Sequence, residues 1–209
     1  MIYSEKGIML ESEFKNESCY FSEYIPSIPQ QKNDCFSKDE CDYLLNFFNN
    51  NKDKKYSPGL IGDIYDKNIR SVDTVDLSFT SDNEFIYKKI IANCWNTNNH
   101  WWNFQLSGIE QQFQIGKYTK SKKGKYVKHV DVNQTQRFTR KLSVVIQLTD
   151  SNKYEGGDTF LYYKKDPERI CKEKGSMTIF PSYTLHEVTE ITKGTRFALF
   201  GWIYGPFWK

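Results

Sequence analysis

Nowhere does the chain carry an apolar run approaching the roughly 20 residues that a membrane helix requires. Between Met1 and Phe14 the apolar residues are interrupted by Glu5, Lys6, Glu11 and Glu13, which is not the pattern of a targeting segment. A soluble, cytoplasmic protein is therefore expected. Cysteine is sparse: the five, at positions 19, 35, 41, 94 and 171, are odd in number and lack paired metal spacing. Reduced thiols fit this better than a disulfide framework. Charge of one sign is scarce too, since 29 basic and 26 acidic residues leave a net +3, too little to mark a nucleic-acid or anionic-membrane partner. Histidine is rarer still, with three residues in the chain. Of these, His100 has no chemical context and is read as structural.

What the chain does have is aromatic bulk. Phe, Tyr and Trp make up 16% of 209 residues, and such side chains fill a core with few positions. The length fits one domain, and no repeat or low-complexity segment is evident. Residues 2–28 read as an irregular or short-strand entry, ending in the turn-prone Pro26-Ser27-Ile28-Pro29. Ser37-Lys38-Asp39-Glu40 has the form of a capping box, and Cys41, Leu44, Leu45, Phe47 and Phe48 give the following helix an apolar stripe. The polar run Asn49 to Lys55 is expected to end that helix as a loop that continues through Pro58-Gly59 and Gly62-Asp63. Val72, Leu77 and Phe79 predict a strand. Ser81-Asp82-Asn83-Glu84 opens a second helix reaching about Asn99, with Phe85, Ile86, Ile90, Ile91, Cys94 and Trp95 on its packed face. Beyond it, short strands are predicted near 109–118, 126–132, 141–149, 158–163, 175–180, 184–189 and 195–204, with turns at Gly124, Glu155-Gly156-Gly157 and Lys193-Gly194. This pattern predicts a mainly β sandwich or barrel supported by two helices.

The chemistry concentrates in His129-x-Asp131, His186 and Arg196. Side chains two apart on a strand share a face, so His129 and Asp131 can reach one metal ion, with His186 as third ligand. Two imidazoles and one carboxylate on one face of an octahedron leave positions open, the pattern of non-haem Fe(II) oxygenases. Arg196 lies in the strand-like run Thr195 to Tyr204, sharing a face with Ala198, Phe200 and Trp202, while Phe197, Leu199 and Ile203 take the other. An arginine in so apolar a strand is costly to bury without an anionic partner. Its planar fork suits a carboxylate, although Glu187 or Glu190 across neighbouring strands would also serve.

From about Trp102 to Trp202 the chain resembles the prolyl 4-hydroxylase-like branch of the 2-oxoglutarate and Fe(II)-dependent dioxygenases, in particular PKHD-type hydroxylases of bacteria and viruses. The resemblance is carried by Gln112 to Tyr118, Tyr126 to Asp131, Arg140-Lys141-Leu142-Ser143, Tyr154 to Asp158, Gly175 to Ser182, His186-Glu187-Val188 and Gly194-Thr195-Arg196. It implies a double-stranded β-helix, or jelly roll, over 101–209, with residues 1–100 as helical support and edge strands of a single 1–209 domain. It implies Fe(II), 2-oxoglutarate and O2 as cofactors, with ascorbate as an accessory reductant. His129, Asp131 and His186 would be the catalytic metal ligands, and Arg196, Tyr118 and Thr178 would contact the oxo acid. Tyr126 would lie near iron and substrate, and Arg137 and Trp202 are further substrate-contact candidates. The chain departs from the family's YxxGxxYxxHxD pattern by a two-residue longer loop between Tyr118 and Tyr126.

The implied reaction is hydroxylation of a C–H bond with release of succinate and CO2. The carboxylate of Asp131 argues against the related halogenases, which place halide there. A peptidyl residue, proline first, is the leading substrate class, with other small molecules open, and residues 49–70 and 119–140 are candidates for a substrate lid. An AlkB-like nucleic-acid demethylase would place a second arginine where Trp202 stands. A zinc hydrolase would leave Arg196 without a role. A non-enzymatic jelly-roll binding module would make the triad incidental.

Overall fold

The computed structural model describes residues 28–55, 57–58, 66–133 and 137–208, together with the strands β1 (Ile2–Ser4) and β2 (Gly7–Met9), which pair as an antiparallel hairpin. Pro26, Ser27, Gly59, Gly62, Asp63 and positions 134–136 lie outside these residues.

After β3 (Gln30–Lys32) comes the helix α1 (Lys38–Lys55). It starts as a capping box dictates: the Ser37 N–H donates to Glu40 Oε2 at 2.7 Å, and the Glu40 N–H donates to Ser37 Oγ at 3.2 Å. Cys41, Leu44 and Phe48 recur at helical spacing and are fully buried. The helix does not stop at Asn49 as expected but runs on to Lys55. Asn, Lys and Asp are indifferent helix formers and not breakers, and the first proline beyond Phe48 is Pro58. The helix α2 (Glu84–Trp101) buries Ile86, Ile90 and Cys94, whereas Phe85, expected on the packed face, is 44% exposed. Its exit is held by the buried Asn98 side chain, which donates to Phe104 O and accepts from the Phe104 N–H, both at 2.9 Å. His100 sits exposed in its last turn, edge-on to Trp101.

The remaining strands are β4 (Ser57–Pro58), β5 (Arg70–Ser71), β6 (Asp73–Asp76), β7 (Gln114–Thr119), β8 (Lys125–His129), β9 (Thr139–Gln147), β10 (Tyr154–Gly156), β11 (Thr159–Tyr162), β12 (Glu168–Arg169), β13 (Met177–Pro181), β14 (Leu185–Val188) and β15 (Ile191–Gly205). They form two antiparallel sheets in the jelly-roll manner. The larger has the order β3-β13-β9-β15-β7-β6-β4, with β10 also on β15, and the smaller has the order β12-β11-β14-β8-β5. The strand predicted from Val72, Leu77 and Phe79 is the short β6, with Leu77 and Phe79 beyond its end, and β5 on the other sheet stops just before Val72.

Period-two alternation on β15 assigns its two faces. Phe197, Leu199 and Ile203 join the core formed with Phe36, Leu44 and Phe48 of the α1 region and Ile86 and Ile90 of α2. Arg196, Ala198, Phe200 and Trp202 face the cavity between the sheets. Leu199, fully buried at the centre of this core, carries a direct prediction. Leu199→Ala should lower unfolding stability by about 2–5 kcal/mol, read as a lower denaturant midpoint at unchanged slope. A change below about 1 kcal/mol would mean that the β15 face is not core.

Lys193-Gly194, expected to form a turn, lies inside β15. Tyr154 pairs with Gly194, and a Cβ on Gly194, whose φ is +72°, would stand 2.2 Å from Lys153 O. The glycine answers to close strand approach and a left-handed φ, and not to chain reversal. The 119–125 connection is also pinned: Ser71 Oγ donates to Lys122 O at 2.7 Å, and Lys122 pairs with Asp73 at 2.7 Å. Of the candidate lid, 49–55 is helix and 119–125 is tied to the sheet.

Candidate active site

Strand pairing brings the histidines together. β8 and β14 set His129 directly opposite His186, and the ring centroids are 4.1 Å apart. β8 ends at His129, earlier than expected, so Asp131 lies just past the strand. Its N–H donates to Ser182 O at 2.9 Å, which restores the same-face placement. Asp131 Oδ1 is 3.5 Å from His129 Nε2, and Oδ2 is 3.4 Å from His186 Nε2. The three ligand atoms lie within 4.8 Å of one another.

Both imidazoles are oriented from behind. His129 Nδ1 is 2.8 Å from Val127 O and His186 Nδ1 is 2.9 Å from Thr184 O. A carbonyl accepts only from a protonated Nδ1, so each Nε2 is turned toward Asp131 and, in the neutral ring, is the nitrogen left to hold a cation. Ser143 Oγ donates to Asp131 Oδ2 at 2.8 Å, and Tyr126 stacks on His129 with centroids 3.5 Å apart. Burial alone would push the Asp131 carboxyl up, yet the two imidazoles hold it well below the usual carboxylate range. Burial also lowers His129 below its ordinary value. For His186 burial acts the same way, but the charge and hydrogen bond of Asp131 outweigh it and raise the pKa. An ionised carboxylate between two imidazoles is a donor set suited to one divalent cation.

At the other end of the cavity lies Arg196, 1% exposed. Its Nε donates to Gln147 Oε1 at 3.2 Å and its Nη2 to Thr159 Oγ1 at 3.3 Å, while Nη1 meets no acceptor within hydrogen-bond distance among the described residues. Neither Glu187 nor Glu190 pairs with it. Glu187 instead accepts a short hydrogen bond from Tyr162 Oη. Among the described residues this buried guanidinium has neutral partners only, and so lacks the anion that burial demands. Gly157 makes room beside it: its φ is +59°, and a Cβ there would lie 3.2 Å from Arg196 Cδ and 2.3 Å from Ile191 Cδ1.

Between these ends is a cavity of about 540 Å³ that His129, Asp131, His186 and Arg196 all line. Tyr118, opposite Arg196 in register, lines it too, with the Arg196 Cζ 5.2 Å over its ring. Tyr126 and Trp202 also belong to the wall. Thr178 is buried on β13 opposite Val145 and does not line the cavity. The hydroxyl that touches Arg196 is that of Thr159. Arg137 is exposed and outside the wall, and Arg140 takes the mouth in its place. Arg140 stacks on Trp202 with Cζ 3.5 Å over the ring, and donates to Gln111 Oε1 at 2.7 Å and to Tyr204 Oη at 3.1 Å. Arg70, Gln147 and Thr159 have no part in the sequence reading, and Ser143 enters it only as the last residue of the Arg140-Lys141-Leu142-Ser143 match.

Residues 113–204 match the model of the 2OG-Fe(II) oxygenase superfamily. A PKHD-type hydroxylase of Prochlorococcus marinus is 37% identical over 87 residues, 41% of this chain, and the chain spans 39% of that relative's length. Two solved structures share the fold at low identity. A Trichoplax adhaerens prolyl hydroxylase in complex with a hypoxia inducible factor peptide fragment has a TM-score of 0.71 at 17% identity, covering 85% of this chain and 83% of that one. A viral collagen prolyl hydroxylase from Paramecium Bursaria Chlorella virus-1, in a 2OG complex, has a TM-score of 0.63 at 18% identity, covering 85% and 96%.

Proposed function

We propose that this protein, whose residues 113–204 are a 2OG-Fe(II) oxygenase domain of the prolyl 4-hydroxylase-like kind, is a 2-oxoglutarate- and O2-dependent hydroxylase acting on a peptidyl residue, with proline as the first candidate. The observation that carries the reading is the free Nη1 of buried Arg196, in the same cavity as an ionised Asp131 between two imidazoles. A metal site alone would not need that cation. An oxo acid with a second carboxylate needs both ends.

Each residue's part follows from its chemistry. His129, Asp131 and His186 would hold Fe(II), and Ser143 keeps the Asp131 carboxylate turned toward the imidazoles. Arg196 would anchor the distal carboxylate of 2-oxoglutarate. Once bound, ferrous ion, oxo acid and O2 supply the oxidising power, and succinate and CO2 are the products that leave. Tyr126, packed on His129, limits the space beside the metal ligands. Arg140 and Trp202 would orient the substrate at the mouth, and the aliphatic wall of Val144, Val188 and Ala198 keeps water from the reacting centre. A peptidyl substrate is supported by the peptide bound to the Trichoplax adhaerens protein. A single domain is supported by the shared core, which runs from Phe36 to Ile203.

Anaerobic titration with Fe(II) and 2-oxoglutarate is the test. A visible charge-transfer band that requires both components is expected, and its absence in folded protein would overturn the reading. Proline-containing peptides that gain one oxygen atom from O2, with stoichiometric succinate, would establish the substrate class.

A further inference from the structure

A second groove opens beside the catalytic cavity, where α2 meets the segment that leads into β7. Its volume of about 460 Å³ is within the usual range of ligand pockets. Tyr87 forms the floor, 4% exposed and anchored by a hydrogen bond from its Oη to Leu77 O. Phe79, Ile91 and Ile109 form the walls. Phe79 is 58% exposed and stands edge-on to Tyr87, with ring centroids 5.2 Å apart. A ring left so far in water forgoes most of what its burial would contribute, and an apolar patch with a polar rim marks a site of interaction. The rim is acidic on balance: Glu110 stands exposed, and Glu84 pairs with Lys88 at 3.2 Å.

The groove and the catalytic cavity share Gln111. Gln111 Oε1 accepts from Arg140 Nη2 at 2.7 Å and from Tyr204 Oη at 3.0 Å, so the glutamine is fixed and the two depressions meet across it. The metal ligands and Arg196 do not border the groove, which therefore has no part in the bond-making step. An extended chain advances about 3.3–3.6 Å per residue, so a polypeptide whose reacting residue sits in the cavity crosses Gln111 and enters the groove within a few residues.

We infer that this groove is a specificity subsite for the polypeptide substrate. It takes one large apolar side chain a few residues from the hydroxylated one, with a neighbouring basic residue facing Glu110. The inference rests on the reading of the protein as a peptidyl hydroxylase. A chain already held in the cavity reaches the groove as an intramolecular event, which favours the substrate over a separate partner as its occupant. A free amino acid would fill the cavity alone and never reach Phe79.

The test is hydroxylation of a peptide library, randomised around one central proline, by the full chain with Fe(II), 2-oxoglutarate and O2. Wild type should enrich Leu, Ile, Met or Phe at one fixed offset from the proline, with kcat/KM about tenfold above that for serine there. Lys or Arg beside that position should add up to about fivefold. Phe79→Ser/Ile91→Glu should erase the apolar preference while the anaerobic absorption band of Fe(II) and 2-oxoglutarate still forms. Glu110→Lys should remove the basic preference alone. Hydroxylation with no preferred apolar offset, or a preference that survives in Phe79→Ser/Ile91→Glu, would overturn the subsite and leave the hydroxylase reading standing. If the band forms but no peptide gains oxygen at any residue, the peptidyl reading itself fails, and the subsite with it.

Discussion

Arg196→Met should abolish high-affinity 2-oxoglutarate binding without weakening the fold. Methionine keeps an unbranched apolar stem in the slot beside Gly157 and removes the charge. In the ligand-free protein the guanidinium is buried with neutral acceptors only among the described residues, so its loss should leave stability unchanged or raise it by about 1–4 kcal/mol, as when buried ionic groups are replaced by apolar ones of similar volume. In the bound state the same change removes the cation facing a carboxylate. Such truncations cost about 2–5 kcal/mol, a weakening of roughly 30-fold to several thousand-fold. Calorimetric titration and thermal unfolding of one variant thus read opposite signs. Fe(II) affinity should hold, because Arg196 lies at the other end of the cavity from the triad. A loss of Fe(II) and 2-oxoglutarate binding in equal measure would instead make Arg196 a structural element.

The second large effect belongs to the triad. His129→Ala, Asp131→Ala and His186→Ala should each reduce Fe(II) affinity by more than the roughly 10–100-fold that loss of an outer-shell partner costs, and should abolish succinate release. Ser143→Ala removes only the hydroxyl that donates to Asp131 Oδ2, and should fall within that 10–100-fold range. The ordering is the informative result, and equilibrium metal titration of the four variants reads it. Ser143→Ala as damaging as Asp131→Ala, or near-normal turnover in any triad variant, would sink the assignment of ligands.

How much of this was legible beforehand differs element by element. The start of α1 could be read because a capping box is complete within four residues, and its bonds form whatever the rest of the chain does. The two faces of β15 could be read because alternation is a property of the strand itself. Once Phe197, Leu199 and Ile203 are taken as core, Arg196, Ala198, Phe200 and Trp202 must face the other way. The end of α1 could not, because its polar last turns contain neither a stop signal nor an apolar face. Gly194 was ambiguous for a related reason: a glycine shows that backbone freedom is used, and not whether a turn or a close strand uses it.

The chemistry available is written locally in the chain: two histidines and one aspartate at the spacing of a metal site, one arginine in a strand too apolar to hold it unpaired, and the alternation that sends that arginine inward. Which of these residues become neighbours depends on how the sheets pair. Pairing of β8 with β14 places His129 against His186. The β10–β15 register brings Tyr154 near Arg196. The meeting of the sheets gives Arg196 the Thr159 hydroxyl, while Thr178, opposite Val145 on β9, is not among the residues that line the cavity. The division has a physical cause. Periodicity, caps and the cost of burying charge act over a few residues and are written locally. Strand register is set by the summed packing of whole sheets, so contacts between residues dozens of positions apart exist only once the fold has closed.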